Sequence, residues 1–206
     1  MGQPQGQVQG CRALPDGTPL GADSVPMHWS PMGSAGYLEV ELLGVQDFAD
    51  EAAAVSRFFQ KTSTTPILSI RRVQNLPLWQ SYVNHREAVR AKSCNNGQAN
   101  EEFLWHGSKS GAYESIKNRG LDVSYGGGCI WLSTNSKYSL GYCVASKQIL
   151  LVRTTLGYIG QDSRHVGGTS SGHARKDDQV GGGADNRYTI SSNGQMYPAY
   201  VLQIQF

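Results

Sequence analysis

One stretch of the chain places a histidine and a glycine backbone where a strand gives way to a helix. Residues 103–120 read FLWHGSKSGAYESIKNRG, an apolar trio followed by His106, Gly107 and a short polar turn. A glycine at such a junction lets a ligand approach the backbone, whose free N–H groups can donate hydrogen bonds. This stretch is therefore the first candidate for a binding or catalytic site, with His106 as its titratable group.

A second candidate set lies further along the chain, in the segment SKYSLGYC. Ser139 and Tyr142 are three residues apart, about one helical turn, so a helix would present the hydroxyl and the ring on one face. That pairing suits a flat heteroaromatic amide, because a ring can stack on it while the hydroxyl and a glycine backbone bond the amide. Each set also has a plainer interpretation: His106 as a hydrogen-bonded core histidine, and the tyrosines, including Tyr138, as a buried aromatic face.

The first stretch also contains a nucleophile-elbow pattern, since residues 107–111 read GSKSG and match GxSxG. Ser110 would be the nucleophile, and Asp162 and His173 follow in the chain order of such hydrolases. An α/β-hydrolase needs repeated βα crossovers, whereas the strands predicted after this stretch suit antiparallel pairing. The hydrolase stays an alternative, and neither glycine triplet of the chain forms a dinucleotide or P-loop fingerprint.

Length and composition predict an ordinary soluble protein. The chain has 206 residues, 39% of them hydrophobic and 17% charged, with a formal net charge of +2. That length suits one domain with a flexible appendage. So small a positive charge argues against general nucleic-acid binding, and no apolar run reaches the roughly 18 residues of a membrane span.

The chain has four cysteines, and they form no CxxC pair and have no histidine at ligand spacing: Cys11, Cys94, Cys129 and Cys143. We therefore predict no zinc site and no metal cofactor. The N-terminus carries no apolar signal core, so we expect reduced thiols and a cytoplasmic or nuclear location. Disulfides stay open as an alternative if this is a fragment that has lost its signal.

The order of the predicted elements indicates an α+β fold. Residues 1–24 are rich in Gly, Gln and Pro and are predicted to be a flexible tail or linker, leaving 25–206 as the folded domain. Apolar alternation predicts strands at 37–43, 66–73, 129–132, 148–156, 187–191 and 197–206. Helical spacing predicts helices from a capping Asp47 to residue 61, at 77–92, and at 136–146. Residues 161–185 would form a long loop, and helices before strands favour α+β over alternating βα units.

Seven segments of the chain follow one another in a recognisable order. They are PMHWSPM, VSRFFQKT, ILSIRRVQNLPLWQSYVNHREAV, FLWHGSKSGAYESIKNRGL, CIWLSTNSKYSLGYC, QILLVRTTLG and QMYPAYVLQIQF. In this order they resemble the catalytic domain of the poly(ADP-ribose) polymerase family, particularly its mono-ADP-ribosyltransferase branch. The resemblance implies the ADP-ribosyltransferase fold, a mixed, mainly antiparallel split sheet with N-terminal and flanking helices. It also implies NAD as co-substrate, protein acceptors, and no direct DNA dependence, since residues 1–24 offer no counterpart of the helical regulatory domain.

The resemblance assigns roles to individual residues. His106 matches the family's histidine that holds the adenosine ribose, and Gly107, followed by Ser108, matches the glycine whose backbone clamps the nicotinamide amide. Ser139 would bond that amide, and Tyr142 would stack on the nicotinamide ring. The loop at 161–185 would lie at or beside the segment that covers the donor. The implied NAD-binding residues are His106, Gly107, Ser108, Trp131, Tyr138, Ser139 and Tyr142, and the catalytic candidates are His106, Trp131 and Arg187.

Two positions depart from the family's usual residues. Trp131 stands where a tyrosine is usual, so a hydroxyl and its hydrogen bond are absent. Arg187 stands where polymer-forming members have glutamate; with the register shifted by one residue, the position falls on Asn186 or Tyr188. A guanidinium can neither stabilise a cationic ribose nor accept a proton, so we expect transfer of single ADP-ribose units rather than chains. The alternatives are that Arg187 faces solvent, or that the departures leave a catalytically weak or inactive pseudo-transferase that serves as an interaction module.

Overall fold

A computed structural model describes residues 25–109, 111–157, 175–177 and 187–206. The predicted tail at 1–24 and most of the predicted loop at 161–185 lie outside these ranges. Within them lie eight strands: β1 (Tyr37–Glu41), β2 (Ile67–Asn75), β3 (Glu101–Gly107), β4 (Ile130–Ser133), β5 (Gln148–Thr155), β6 (Arg175–Asp177), β7 (Arg187–Ile190) and β8 (Met196–Ile204). They form one sheet in the spatial order β1-β2-β8-β5-β3-β4-β7-β6.

The described ranges also contain four α-helices that pack against this sheet. They are α1 (Ala49–Gln60), α2 (Leu76–Arg90), α3 (Ala112–Arg119) and α4 (Ser136–Leu140). Helix α2 contacts β2 and β8, α3 contacts β2, and α4 contacts β3 and β4. Pro77 lies in the first turn of α2 as predicted, and the helix is capped by the Asn75 side chain, which accepts a hydrogen bond from the Leu78 N–H.

The sheet is nearly divided between β3 and β4. Strand β3 pairs with β5 along its whole length, whereas its register with β4 consists of one pair, Trp105 with Ser133. Every pairing in the described ranges is antiparallel. The prediction of an α+β fold with a mainly antiparallel split sheet is therefore confirmed, and the split exposes the end of β3 to the helix that follows β4.

The core beneath this split is aromatic. Trp105 of β3 is fully buried, stacked on Phe58 with ring centroids 5.6 Å apart and met edge-on by Phe59 at 5.4 Å. Both phenylalanines come from the last turns of α1, so the end of that helix is held against β3. Large buried rings contribute roughly 1.5–3 kcal/mol each by removing apolar surface from water. This packing fixes the strand that carries His106 and Gly107.

Two predicted helices were wrong at one end each. Asp47 does not cap α1, because the chain already turns in a short 3₁₀ helix at Gln46–Phe48 and α1 begins at Ala49 without a side-chain cap. Helix α4 ends at Leu140 rather than at residue 146. The chain there tightens into turns, in which Tyr142 donates to Ser139 and not to the residue four positions before it. The ends of the six strands predicted with bounds agree with the structure to within two residues, the usual uncertainty of such boundaries. Strand β6 was missed, because it lies within the predicted loop at 161–185 and is only three residues long.

Candidate functional site

Gly107, the last residue of β3, is in direct backbone contact with the segment that contains α4. A methyl group added at its Cα would lie 1.9 Å from the Ser139 carbonyl oxygen and 3.1 Å from the Tyr142 Cβ. The first separation is far shorter than a normal carbon contact of about 3.5–4.0 Å, and the second is shorter by a few tenths of an ångström. The fold therefore requires glycine here for space, and it brings together three of the residues predicted to hold the nicotinamide end of NAD.

The Ser139 hydroxyl is buried at the same place. It donates to the Trp105 carbonyl oxygen over 3.1 Å, which ties α4 to β3. The oxygen still offers a lone pair, so it can accept from an amide NH₂, and rotation about its C–O bond would let it donate to an amide oxygen instead. The Ser139 carbonyl accepts from the Tyr142 N–H at 3.1 Å, which sets the direction in which the Tyr142 ring leaves the backbone.

Helix α4 is short and is fixed at its start by side chains. The Asn135 side chain caps it by accepting from the Tyr138 N–H at 3.1 Å. The Ser136 hydroxyl donates to the Phe59 carbonyl over 2.8 Å. The Ser136 backbone N–H donates to the Thr62 hydroxyl, also over 2.8 Å. Because the Ser136 hydrogen is thus engaged, the Thr62 hydroxyl must be the donor in the 2.8 Å contact between the two hydroxyls. The end of α1 therefore holds the helix that carries Ser139.

Two tyrosines and an arginine form the exposed side of the site. The Tyr138 and Tyr142 hydroxyls are 2.9 Å apart, with ring centroids 5.4 Å apart. The Arg187 guanidinium lies over the Tyr138 ring, 4.5 Å from its centroid, in the range of a cation–π contact. The pKa of Tyr142 is raised, first by the hydrogen bond with Tyr138 and then by burial, and Arg187 acts against this rise. Arg187 is therefore turned towards Tyr138 and stays partly exposed, which favours a contact with the candidate site over the solvent-facing alternative.

His106 is held by the backbone of the neighbouring strand. Its Nδ1 lies 3.0 Å from the Trp131 carbonyl oxygen, and since a carbonyl can only accept, Nδ1 carries the hydrogen. Burial lowers the pKa of His106 below its ordinary value, and the bond to Trp131 offsets this only in part. The ring is thus neutral at pH 7, with Nε2 as its acceptor atom.

We expect His106 to titrate below pH 6.5 in an NMR titration of the imidazole resonances. Its pKa is lower in the folded chain than in the unfolded one, so the unfolded chain binds the extra proton and stability falls as pH drops below about 6.5. The pKa of His85 is lowered by burial in the same sense. The His106→Asn variant lacks the His106 resonance, which identifies that signal in the spectrum. The variant loses only the part of the pH dependence of stability that His106 causes. A His106 pKa above 6.5 would contradict the burial.

Trp131 serves His106 through its backbone and not through its ring. It lies between the buried residues Ile130 and Leu132 of β4, so its side chain points to the opposite face and is 46% exposed. The hydrogen bond to His106 comes from the main-chain oxygen and does not depend on the side chain. The absence of a tyrosine hydroxyl at this position therefore leaves the orientation of His106 intact.

Ser108 and several residues that the sequence analysis did not consider complete the site. The Tyr113 hydroxyl accepts from the Ser108 N–H at 3.0 Å, and the Ser146 hydroxyl lies 3.3 Å from the Ser108 carbonyl. The cap at Asn135 could have been found from the STNSKYS pattern, in which a small polar residue precedes a helix. Nothing in the sequence pattern points to Tyr113, Ser146 or Thr62, because their partners depend on the packing of separate elements.

The structure does not test the hydrolase hypothesis directly, since Ser110, Asp162 and His173 lie outside the described residues. The antiparallel pairing within the described ranges does not provide the parallel βα crossovers that such a hydrolase needs. Among the described residues, no group of three His, Cys, Asp or Glu could hold a metal ion. The helices of these ranges also include none with the length and apolarity to cross a membrane.

A separate small pocket lies elsewhere in the described part of the fold. It is lined by aromatic and charged residues that include Trp29, Arg72, Trp79, Arg153 and Tyr197. None of its lining residues belongs to the candidate site. This pocket is therefore separate from the candidate site.

Two curated relatives are named as ADP-ribosyltransferases. Human protein mono-ADP-ribosyltransferase PARP14 is 36% identical over 104 residues, which make up 50% of this chain and 6% of that protein. Mouse protein mono-ADP-ribosyltransferase PARP11 is 27% identical over 127 residues, 58% of this chain and 38% of that protein. Both similarities point to the same family.

A probable poly(ADP-ribose) polymerase of Dictyostelium discoideum is 24% identical over 194 residues, 86% of this chain and 56% of that protein. The chain thus spans 56% or less of the length of these three relatives. Residues 46–184 match the poly(ADP-ribose) polymerase catalytic domain, and this range contains every candidate site residue except Arg187. Because the match covers most of the chain, the protein belongs to the poly(ADP-ribose) polymerase catalytic-domain family, as the ordered motifs predicted.

Proposed function

We propose that the protein is an NAD-dependent mono-ADP-ribosyltransferase, which moves one ADP-ribose unit to a protein side chain and releases nicotinamide. The observation that carries the proposal is the contact of Gly107 with Ser139 and Tyr142. It presents a backbone, a buried hydroxyl and a half-exposed ring on one small surface, which is what a nicotinamide group needs. Poly(ADP-ribose) polymerase catalytic domains use NAD as a co-substrate, and two of the relatives carry the mono-ADP-ribosyltransferase name.

In this reaction the chain positions the donor and does not attack it. The nicotinamide ring stacks on Tyr142, while its amide is held by the Gly107 backbone and the Ser139 hydroxyl. The bond between ribose C1″ and the nicotinamide nitrogen breaks with its electron pair on the nitrogen, so nicotinamide leaves neutral and the ribose becomes oxocarbenium-like. Neutral His106 is suited to hydrogen-bond a hydroxyl of the adenosine ribose, and it brings no positive charge into the site. Positioning of this kind can supply about 7–11 kcal/mol of a reaction barrier.

Arg187 supports transfer of a single unit rather than a chain. None of the eight candidate site residues is a carboxylate, so nothing among them stabilises a sugar hydroxyl as nucleophile. An acceptor carboxylate needs no base, because it is already ionised and forms an ester bond to C1″ as nicotinamide departs. We therefore propose acidic side chains as the acceptors.

In terms of reaction class this is pentosyl transfer, and we propose that it takes place in the cytoplasm or nucleus without activation by DNA. The low net charge of +2 supports independence from nucleic acid. The second candidate is a pseudo-transferase that binds NAD or a protein without turnover. The cation of Arg187 beside the tyrosine pair favours it, because a positive charge there opposes the cationic ribose.

Incubation with labelled NAD, followed by intact-mass analysis, distinguishes the two candidates. We expect wild-type protein to add single ADP-ribose units to itself or to mixed protein acceptors, and Ser139→Ala to lower the rate roughly tenfold by removing one hydrogen bond. Arg187→Glu should then allow short chains to form. Folded wild-type protein that binds NAD in calorimetry but transfers nothing would support the pseudo-transferase, and more so if Arg187→Glu gains activity.

A further inference from the structure

The segment immediately after β3 does not pair with another strand of the sheet. The β3–β5 register ends at the pair Gly107–Ile149, so the Ser108 N–H and C=O have no place in the ladder. These two groups are instead engaged by side chains. The Ser108 N–H donates to the Tyr113 hydroxyl at 3.0 Å. The same hydroxyl donates to the Ser108 carbonyl oxygen over 3.4 Å. The Ser146 hydroxyl lies 3.3 Å from the same carbonyl.

Tyr113 is well suited to hold this segment. It lies in the first turn of α3 and is 3% exposed, so its hydroxyl has little access to competing water. Burial is the main reason that the pKa of Tyr113 is raised to about 12. The phenol therefore keeps its hydrogen at physiological pH. A protonated phenol can accept from one backbone group while it donates to another, which an ionised one cannot.

The position of Ser108 determines the position of Gly107. Gly107 is in tight contact with the Ser139 carbonyl on one side, and Ser108 continues from it on the other. A shift of Ser108 would therefore turn the Gly107 peptide groups, which are the backbone part of the proposed nicotinamide clamp. Small displacements of this kind are costly, because hydrogen bonds weaken steeply with angle and distance.

We propose that Tyr113 is a positioning residue that sets the nicotinamide-binding geometry of Gly107 and Ser108. The identity of the ligand rests on the proposed function. Tyr113 touches neither NAD nor the reacting atoms in this proposal, and it acts through two hydrogen bonds to the Ser108 backbone. Its influence is therefore restricted to the nicotinamide end of the donor and does not reach the ADP-ribose end.

The test compares Tyr113→Phe with Tyr197→Phe in the full chain. Tyr197 is 2% exposed, and its hydroxyl accepts from the Asn75 N–H at 3.1 Å and donates to the Val73 carbonyl at 2.8 Å. Both substitutions thus remove one buried hydroxyl that bridges two backbone groups, but Tyr197 lies away from the site. The dissociation constants of nicotinamide and of ADP-ribose are measured by calorimetry, together with kcat and KM for NAD.

We expect Tyr113→Phe to raise the nicotinamide dissociation constant about 3- to 10-fold, the effect of one hydrogen bond, and to leave that of ADP-ribose within about twofold. Tyr197→Phe should change neither, although both variants lose thermal stability. Unchanged nicotinamide affinity in Tyr113→Phe, or equal weakening of both ligands, would overturn the positioning role. Wild-type protein that binds nicotinamide but transfers no ADP-ribose would refute the proposed function and not the role of Tyr113. That role would still be decided by the binding comparison of the two variants.

Discussion

Gly107→Ala is expected to lower nicotinamide release from NAD by at least about 100-fold. The added methyl group would lie 1.9 Å from the Ser139 carbonyl oxygen, which is backbone and cannot rotate away. Either α4 or the end of β3 must therefore move by more than an ångström. A misplacement of about 1 Å in a positioned site can cost a factor of about 100. The same methyl group would also come within 3.1 Å of the Tyr142 Cβ, so the proposed stacking ring moves with the helix.

Gly36→Ala is the matched control for this substitution. A methyl group at Gly36 meets nothing within 4 Å, and the backbone there is not in the left-handed region. Its activity and its melting temperature should stay near those of the wild type. Circular dichroism reports whether Gly107→Ala is still folded. If it is, calorimetry with nicotinamide shows whether the binding site has been lost. Full activity in Gly107→Ala would contradict the placement of the nicotinamide amide between β3 and α4.

Arg72→Met is expected to lower the free energy of unfolding by about 3–5 kcal/mol. The Arg72 side chain is 1% exposed and forms an ion pair with Glu51 of α1, which also accepts from the Tyr200 hydroxyl at 2.9 Å. Two further bonds join the guanidinium to Ser30 and Gln74, at 2.9 and 3.1 Å. Removing the guanidinium takes the nearest cation from the buried Glu51 carboxylate, whose basic neighbour His28 lies 3.9 Å away and is charged only when protonated. That desolvated charge is the main source of the loss. Urea denaturation measures the change.

The neighbouring Arg71→Met is the control, because it removes the same charge from the same strand. The Arg71 side chain is 27% exposed and pairs with Glu39 at 2.8 Å. Glu39 would keep a second cation, Lys117, at 2.6 Å. We therefore expect a loss below about 1 kcal/mol, the usual value for a partly exposed pair. Similar losses for the two variants would show that burial does not determine the energy of these ion pairs.

The two departures from the family's usual residues have different consequences in the structure. Trp131 contributes its main-chain oxygen to His106, so the change of side chain leaves that interaction in place. Arg187 lies over Tyr138 and next to the hydroxyl pair of Tyr138 and Tyr142, so its charge acts inside the site. We therefore expect the proposed transfer to be more sensitive to substitution of Arg187 than of Trp131.

The sequence alone determined the parts of the fold and site that depend on local spacing. Apolar alternation located six of the eight described strands to within two residues, and helical spacing placed Ser139 on α4, although Tyr142 follows that helix in a turn. The order of the motifs identified the family. These features can be read from the sequence because side chains repeat every two residues in a strand and every 3.6 in a helix, whatever the rest of the chain does.

Only the tertiary structure decided how these pieces meet. Ser139 bonds Trp105 across 34 residues, and Ser136 bonds Thr62 across 74. The direction of Arg187 and the anchoring of Ser108 by Tyr113 likewise follow from the contacts of separate elements. No local period encodes such contacts, because they depend on the strand order and on the split between β3 and β4. The sequence thus named candidate residues for the site, and the packing of the sheet decided that Gly107 must be a glycine.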